Sequence, residues 1–147
     1  MMKLLFSTTL AVLTLFGCTK EAPARTPIEL NISISTFNYA DQSVVNVTVN
    51  GKPAGNADRP KKGEVTDGGT LCCVALSPRK GSATVVVTLA DGSKYTTEAK
   101  IRMPLPEVAS YAVVHLLPGQ RALIEVFPTT PFNDIERLPE LLKALEK

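Results

Sequence analysis

Three cysteines and one histidine are the side chains of this sequence with the types best suited to chemistry. Cys72 and Cys73 are adjacent, and Cys18 stands far upstream at the end of an apolar run. A metal centre needs three or four ligands at familiar spacing, and no second Cys or His pair accompanies Cys72 and Cys73. A thioredoxin-like pair would read Cys-x-x-Cys, which the chain lacks. The adjacent pair therefore leaves several readings open: structural thiols packed as small hydrophobes, a vicinal disulfide, a disulfide to another chain, or a redox or metal site. Adjacent residues fit ordinary disulfide geometry poorly, yet an oxidising compartment would favour pairing them. His115 falls on a strand face shared with Tyr111, Val113 and Leu117, the setting of a packed histidine rather than a catalytic one. No Gly-x-Ser-x-Gly nucleophile elbow, P-loop or dinucleotide fingerprint is present. The expectation is a protein that is not an enzyme and that holds neither cofactor nor metal.

Leu15-Phe16-Gly17-Cys18 closely resembles the lipobox of bacterial lipoprotein precursors, where the cysteine is lipidated and becomes the first mature residue. Lys3 supplies a positive charge, and Leu4 to Phe16 is an uncharged run of signal-peptide length. That run falls short of the roughly 20 apolar residues a spanning helix needs. Residues 1–17 then read as a signal peptide and Cys18 as the lipidation site. Retention at the inner membrane usually involves Asp after the cysteine, and Thr19 stands there, so the likeness implies an outer-membrane anchor facing the periplasm. Thr19 to Pro27 is polar and proline-punctuated, and completes a tether over residues 18–27 reaching at most about 30 Å beyond the cysteine.

The whole chain has 147 residues with 16 basic and 14 acidic side chains, a balance that argues against a nucleic-acid footprint. Residues 28–147 fit one domain able to bury a core without disulfide staples. With no Trp and few aromatics, that core must come mainly from Val, Ile and Leu, a composition that favours strands.

Ile28, Leu30, Ile32 and Ile34 alternate with polar residues, as do Val45, Val47 and Val49. Further strands are expected at Leu71 to Leu76, Ala83 to Leu89, Lys94 to Ile101, Tyr111 to Leu117 and Arg121 to Phe127. Asn50-Gly51, Asp91-Gly92 and Pro118-Gly119 mark turns between them. Seven short strands at this spacing predict an all-β fold: an antiparallel β-sandwich, immunoglobulin-like in architecture, or a partly open barrel with the same pattern. Near the C-terminus Ile135, Leu138, Leu141, Leu142 and Leu145 shift to helical spacing, with Asn133 or Asp134 as cap and Pro139 opening the helix. Gly51 to Thr70 reads as one long connection, and a structureless loop of that length is commonly functional or mobile. Its Lys52, Arg59, Lys61 and Lys62 are candidate contacts for an acidic partner, although Asp58, Glu64 and Asp67 are interleaved.

Val49-Asn50-Gly51, Gly55-Asn56, Gly68-Gly69, Cys72-Cys73-Val74 and Val114-His115-Leu116-Leu117-Pro118 occur in that order. This succession resembles a family of small bacterial lipoproteins of uncharacterised function marked by a Cys-Cys-Val motif, over about Phe37 to Phe127. Some relatives lie beside lipase toxins of the type VI secretion system. The resemblance implies an immunity protein that occludes a secreted lipase, with the loop or the C-terminal helix as contact surface. The alternative is a structural or accessory lipoprotein of an envelope complex.

Overall fold

Strands arise where apolar residues alternate with polar ones, and the computed structural model describes residues 29–103, 109–129 and 134–146. The expected signal peptide, Cys18, the expected tether and Ile28 lie outside the described residues. The strands are β1 (Leu30–Asn38), β2 (Val44–Val49), β3 (Lys52–Ala57), β4 (Thr66–Leu76), β5 (Ser82–Leu89), β6 (Lys94–Arg102), β7 (Tyr111–Leu117) and β8 (Arg121–Phe127). A 3-10 turn at Ile135–Arg137 leads into one short helix, α1 (Leu138–Leu145). All eight strands join one sheet in the order β3-β2-β5-β6-β8-β7-β1-β4.

The two outermost strands of that order, β3 and β4, lie against each other, so the sheet curls into a nearly closed barrel. Closure depends on a close backbone approach, because a Cβ added at Gly68 would overlap the Asn56 carbonyl. Thr36, buried on the inner face of β1, donates its hydroxyl to the Ala54 carbonyl of β3 at 2.9 Å and helps hold the seam. Inside pack Ile32, Ile34, Val47, Val49, Val74, Leu76, Val85, Val87, Val114 and Ile124, an aliphatic core as the composition requires.

The all-β class and the short C-terminal helix agree with the periodicity, while the layering is barrel-like rather than a clear sandwich. Nor is the sheet wholly antiparallel: β1 pairs with β7 and β6 with β8 in parallel. Alternation reports which face a residue takes and carries no information on strand direction, so these pairings were hidden.

Three local expectations are corrected. Gly51 to Thr70 is not a single loop, since β3 and the first half of β4 fall within it. Lys52–Ala57 contains Pro, Ala, Gly and Asn, all poor strand formers, and becomes a strand because the Asn50-Gly51 turn folds it back along β2. Pro53 is tolerated because β3 is an outer strand. Val45 does not share a face with Val47 and Val49: it is the extra residue of a bulge between Val44 and Asn46, it is exposed, and Val44 takes the inner place. β1 runs on to Asn38, past the alternation that ends at Ile34, which puts Phe37 and Asn38 in the sheet.

A second core lies outside the barrel. Phe37, Tyr39, Tyr111, Val113, Leu117 and Leu123 point outward and are covered by Leu138, Leu141, Leu142 and Leu145 of α1. β7 is consequently buried at every position. Asp134 accepts a hydrogen bond from the Glu136 amide at 2.9 Å and opens the 3-10 turn, and Pro139 sits in the first turn of α1, where its missing N–H costs nothing.

Candidate functional site

The groove with the strongest claim to a function is built where β1 ends. Asn38, fully buried, donates its side-chain amide to the carbonyls of Gln42 at 2.7 Å and Asp58 at 3.0 Å, and its side-chain oxygen accepts from the Ala40 amide at 3.0 Å. One side chain thus ties the turn after β1 to the end of β3. The Tyr39 amide donates to the Leu116 carbonyl at 2.9 Å, fixing the tyrosine beside β7. Arg59 follows Asp58 and meets Asp41 at 2.7 Å, with its backbone amide donating to Ser43 at 3.2 Å.

Between the 58–65 connection and the start of α1 lies a cleft of about 850 Å³, lined by Tyr39, Asp41, Arg59 to Glu64, Ile135 and Leu138. Its floor is apolar, formed by Tyr39, Ile135 and Leu138, and its rim carries Arg59, Lys61 and Lys62 with Asp41 and Glu64 among them. Val65 packs with Ile135 and Leu138 in the outer core, so the connection and the helical segment share one foundation. Three of the four cations singled out in the sequence meet here. Lys52 does not, because it sits at the far end of β3, opposite Val49.

The hydroxyl of Tyr39 is buried and has no hydrogen-bond partner among the described residues. Burial pushes its pKa up to about 12, so the phenol remains a proton donor at any physiological pH. Groups of this kind are rare in folded proteins, and each asks for an explanation.

Behind the tyrosine sits a buried charge cluster that sequence reasoning missed. Glu125 of β8, 7% exposed at its side chain, lies 2.7 Å from Arg137, 3.2 Å from Arg102 and 3.0 Å from Nε2 of His115. Arg102 also reaches Glu140 of α1 at 3.2 Å. Burial alone would raise the Glu125 carboxyl, but His115 and Arg137 outweigh it and hold the pKa below the ordinary value. Burial lowers the His115 pKa against the pull of Glu125, leaving a neutral ring. The contact between them is close but lacks hydrogen-bond alignment, and Nδ1 has no partner among the described residues. His115 is wholly enclosed, with Phe37 edge-on at 5.8 Å and Tyr39 tilted at 5.7 Å, so no substrate reaches it. The cluster fastens α1 and the 3-10 turn to the sheet. The one signal for it in the sequence was Glu125 standing in the otherwise apolar run Ala122 to Phe127.

Cys72 and Cys73 lie on β4, away from the groove, and are joined to each other as a disulfide. The register of β4 against β1 passes from Val74 opposite Ile32 to Leu71 opposite Ile34, so both cysteines face the single residue Ser33 in a bulge. Cys72 is exposed and Cys73 half-buried, which places neither in the core. Among the described residues no group of three or more His, Cys, Asp or Glu is placed to hold a metal ion, and no helix is long and apolar enough to cross a membrane. No family model, characterised protein or solved structure matches this chain, so the likeness to the Cys-Cys-Val lipoproteins rests on its motifs alone.

Proposed function

We propose that this protein is a lipid-anchored binding module of the bacterial outer membrane, facing the periplasm, that holds a protein partner in the groove between the 58–65 connection and α1. The observation that carries the reading is that the two candidate contact surfaces, the basic connection and the C-terminal helix, line one cleft. Its apolar floor supplies contact area and its charged rim supplies orientation, the usual division of labour at interfaces. A tether of about 30 Å at most confines the module to a layer above the lipid, which raises its effective concentration toward anything that works at the same surface. A secreted lipase is such a partner, and the motif likeness points to it, making the protein an immunity factor that occludes the enzyme.

Co-expression tests this. A lipase toxin encoded beside this gene, sent to the periplasm, should kill cells lacking the protein and spare cells that carry it, and the two should co-purify after detergent extraction. Absence of both protection and complex refutes the immunity reading.

A further inference from the structure

The rim charges are of two kinds. Arg59 is committed to Asp41 at 2.7 Å, whereas Lys61 and Lys62 meet no carboxylate within ion-pair distance among the described residues. They sit on a turn closed by the Glu64 amide donating to the Lys61 carbonyl at 3.0 Å, directly above the apolar floor of Tyr39, Ile135 and Leu138. Two unspent cations over an apolar floor are complementary to a ligand with carboxylates flanking an apolar side chain. The Tyr39 hydroxyl, a lasting donor with no partner among the described residues, adds a hydrogen-bond site suited to an acceptor rather than to another donor.

Resting on the binding-module reading above, we propose that the groove takes an acidic peptide segment of the partner, one apolar side chain seated on Ile135 and Leu138, with its flanking carboxylates between Lys61 and Lys62 and an acceptor oxygen on Tyr39. The tyrosine hydroxyl is closed off from solvent, so this last contact takes a small turn of the ring, an adjustment common at interfaces. An anionic membrane surface fits less well. Glu64 interrupts the basic rim, and a continuous sheet of negative charge meets repulsion there, whereas a single segment keeps its carboxylates on Lys61 and Lys62.

The test is a selection of random twelve-residue peptides against the folded periplasmic domain, with vesicles of phosphatidylglycerol as a parallel arm. Selected peptides should be rich in Asp and Glu around a large apolar residue and should compete for one site. Their affinity should fall at least tenfold in the double variant Lys61→Glu/Lys62→Glu and rise for that variant's charge-matched basic peptides. Tyr39→Phe should weaken binding severalfold while raising the unfolding temperature, a combination that a merely structural tyrosine would not give. Peptides indifferent to these substitutions, a library without binders, or vesicle binding lost in the double variant overturn the proposal. Peptide binding without toxin binding would leave the groove chemistry standing and refute the immunity reading. Protection by the double variant equal to that of the native chain would do the reverse.

Discussion

Single residues carry the sharpest consequences of burial. Glu125 keeps its charge because the guanidinium groups of Arg137 and Arg102 flank it, and its lowered pKa means that the folded state gains stability above the ordinary carboxylate range and loses it as pH falls through the folded value. His115 acts in the same direction at higher pH. Its folded pKa is depressed, so the unfolded chain takes up the proton first, and stability declines from about pH 6.5 downward. Thermal unfolding followed by circular dichroism should show two acid steps, the upper one absent in His115→Gln and the lower one reduced in Glu125→Gln. A flat profile between pH 7 and pH 5 would contradict the enclosed neutral ring. At the cysteines, the expectation is that a maleimide probe leaves the native protein unmodified and reacts at both Cys72 and Cys73 after a dithiol reductant, read by mass spectrometry. Modification without reductant would mean free thiols.

Among the elements, α1 bears the outer core. Leu141 is fully buried against the outward face of the sheet, and Leu141→Ala should cost about 2–5 kcal/mol in urea unfolding. A loss well under 1 kcal/mol would mean that α1 contributes little to holding the fold. The seam between β3 and β4 makes a second demand, since Gly68 admits no Cβ against the Asn56 carbonyl. Gly68→Ala should part the two strands locally, seen as faster amide exchange at Asn56 and Thr66 with the rest of the barrel unchanged. These elements differed in how plainly the sequence announced them. The helical stripe from Ile135 to Leu145 and the alternation of β1, β5 and β6 were legible because one face of each is buried in bulk, and β7 and β8 stood out as short, nearly continuous apolar runs. β3 was not, because a strand assembled from Pro, Ala, Gly and Asn exists only through its neighbours, and Val45 misled because a bulge reverses facing without altering composition.

For the whole molecule, the proposed address and the fold are separable. The proposed lipidation at Cys18 predicts that Cys18→Ser leaves the protein unlipidated and recovered in the soluble periplasmic fraction with its barrel intact, while the native chain should be found with outer membranes and gain the mass of its acyl groups. Membrane association unchanged by that substitution would require another anchor. The groove was half legible: Arg59, Lys61 and Lys62 were marked by charge, and α1 by period, but their meeting depends on Asn38, a polar residue buried deep enough to tie the end of β1 to Asp58. Nothing in a linear pattern distinguishes such an asparagine from a solvated one. The buried cluster around Glu125 was obscured for a similar reason, since Arg102, Glu125 and Arg137 come from distant parts of the chain.

The position of β1 in the sheet bears on how the molecule withstands force. The chain enters the described structure at Glu29, one residue ahead of a strand that is paired on both edges, antiparallel with β4 and parallel with β7. A tether joined to an outer strand would let a pull from the membrane peel hydrogen bonds away one at a time. Joined here, tension running along β1 has to slide the ladder to β4 from Leu30 through Asn38 and the ladder to β7 from Ser33 through Asn38. On the proposed anchoring, a pull from the membrane enters the barrel through a strand held on both edges, and so loads it in shear rather than by peeling.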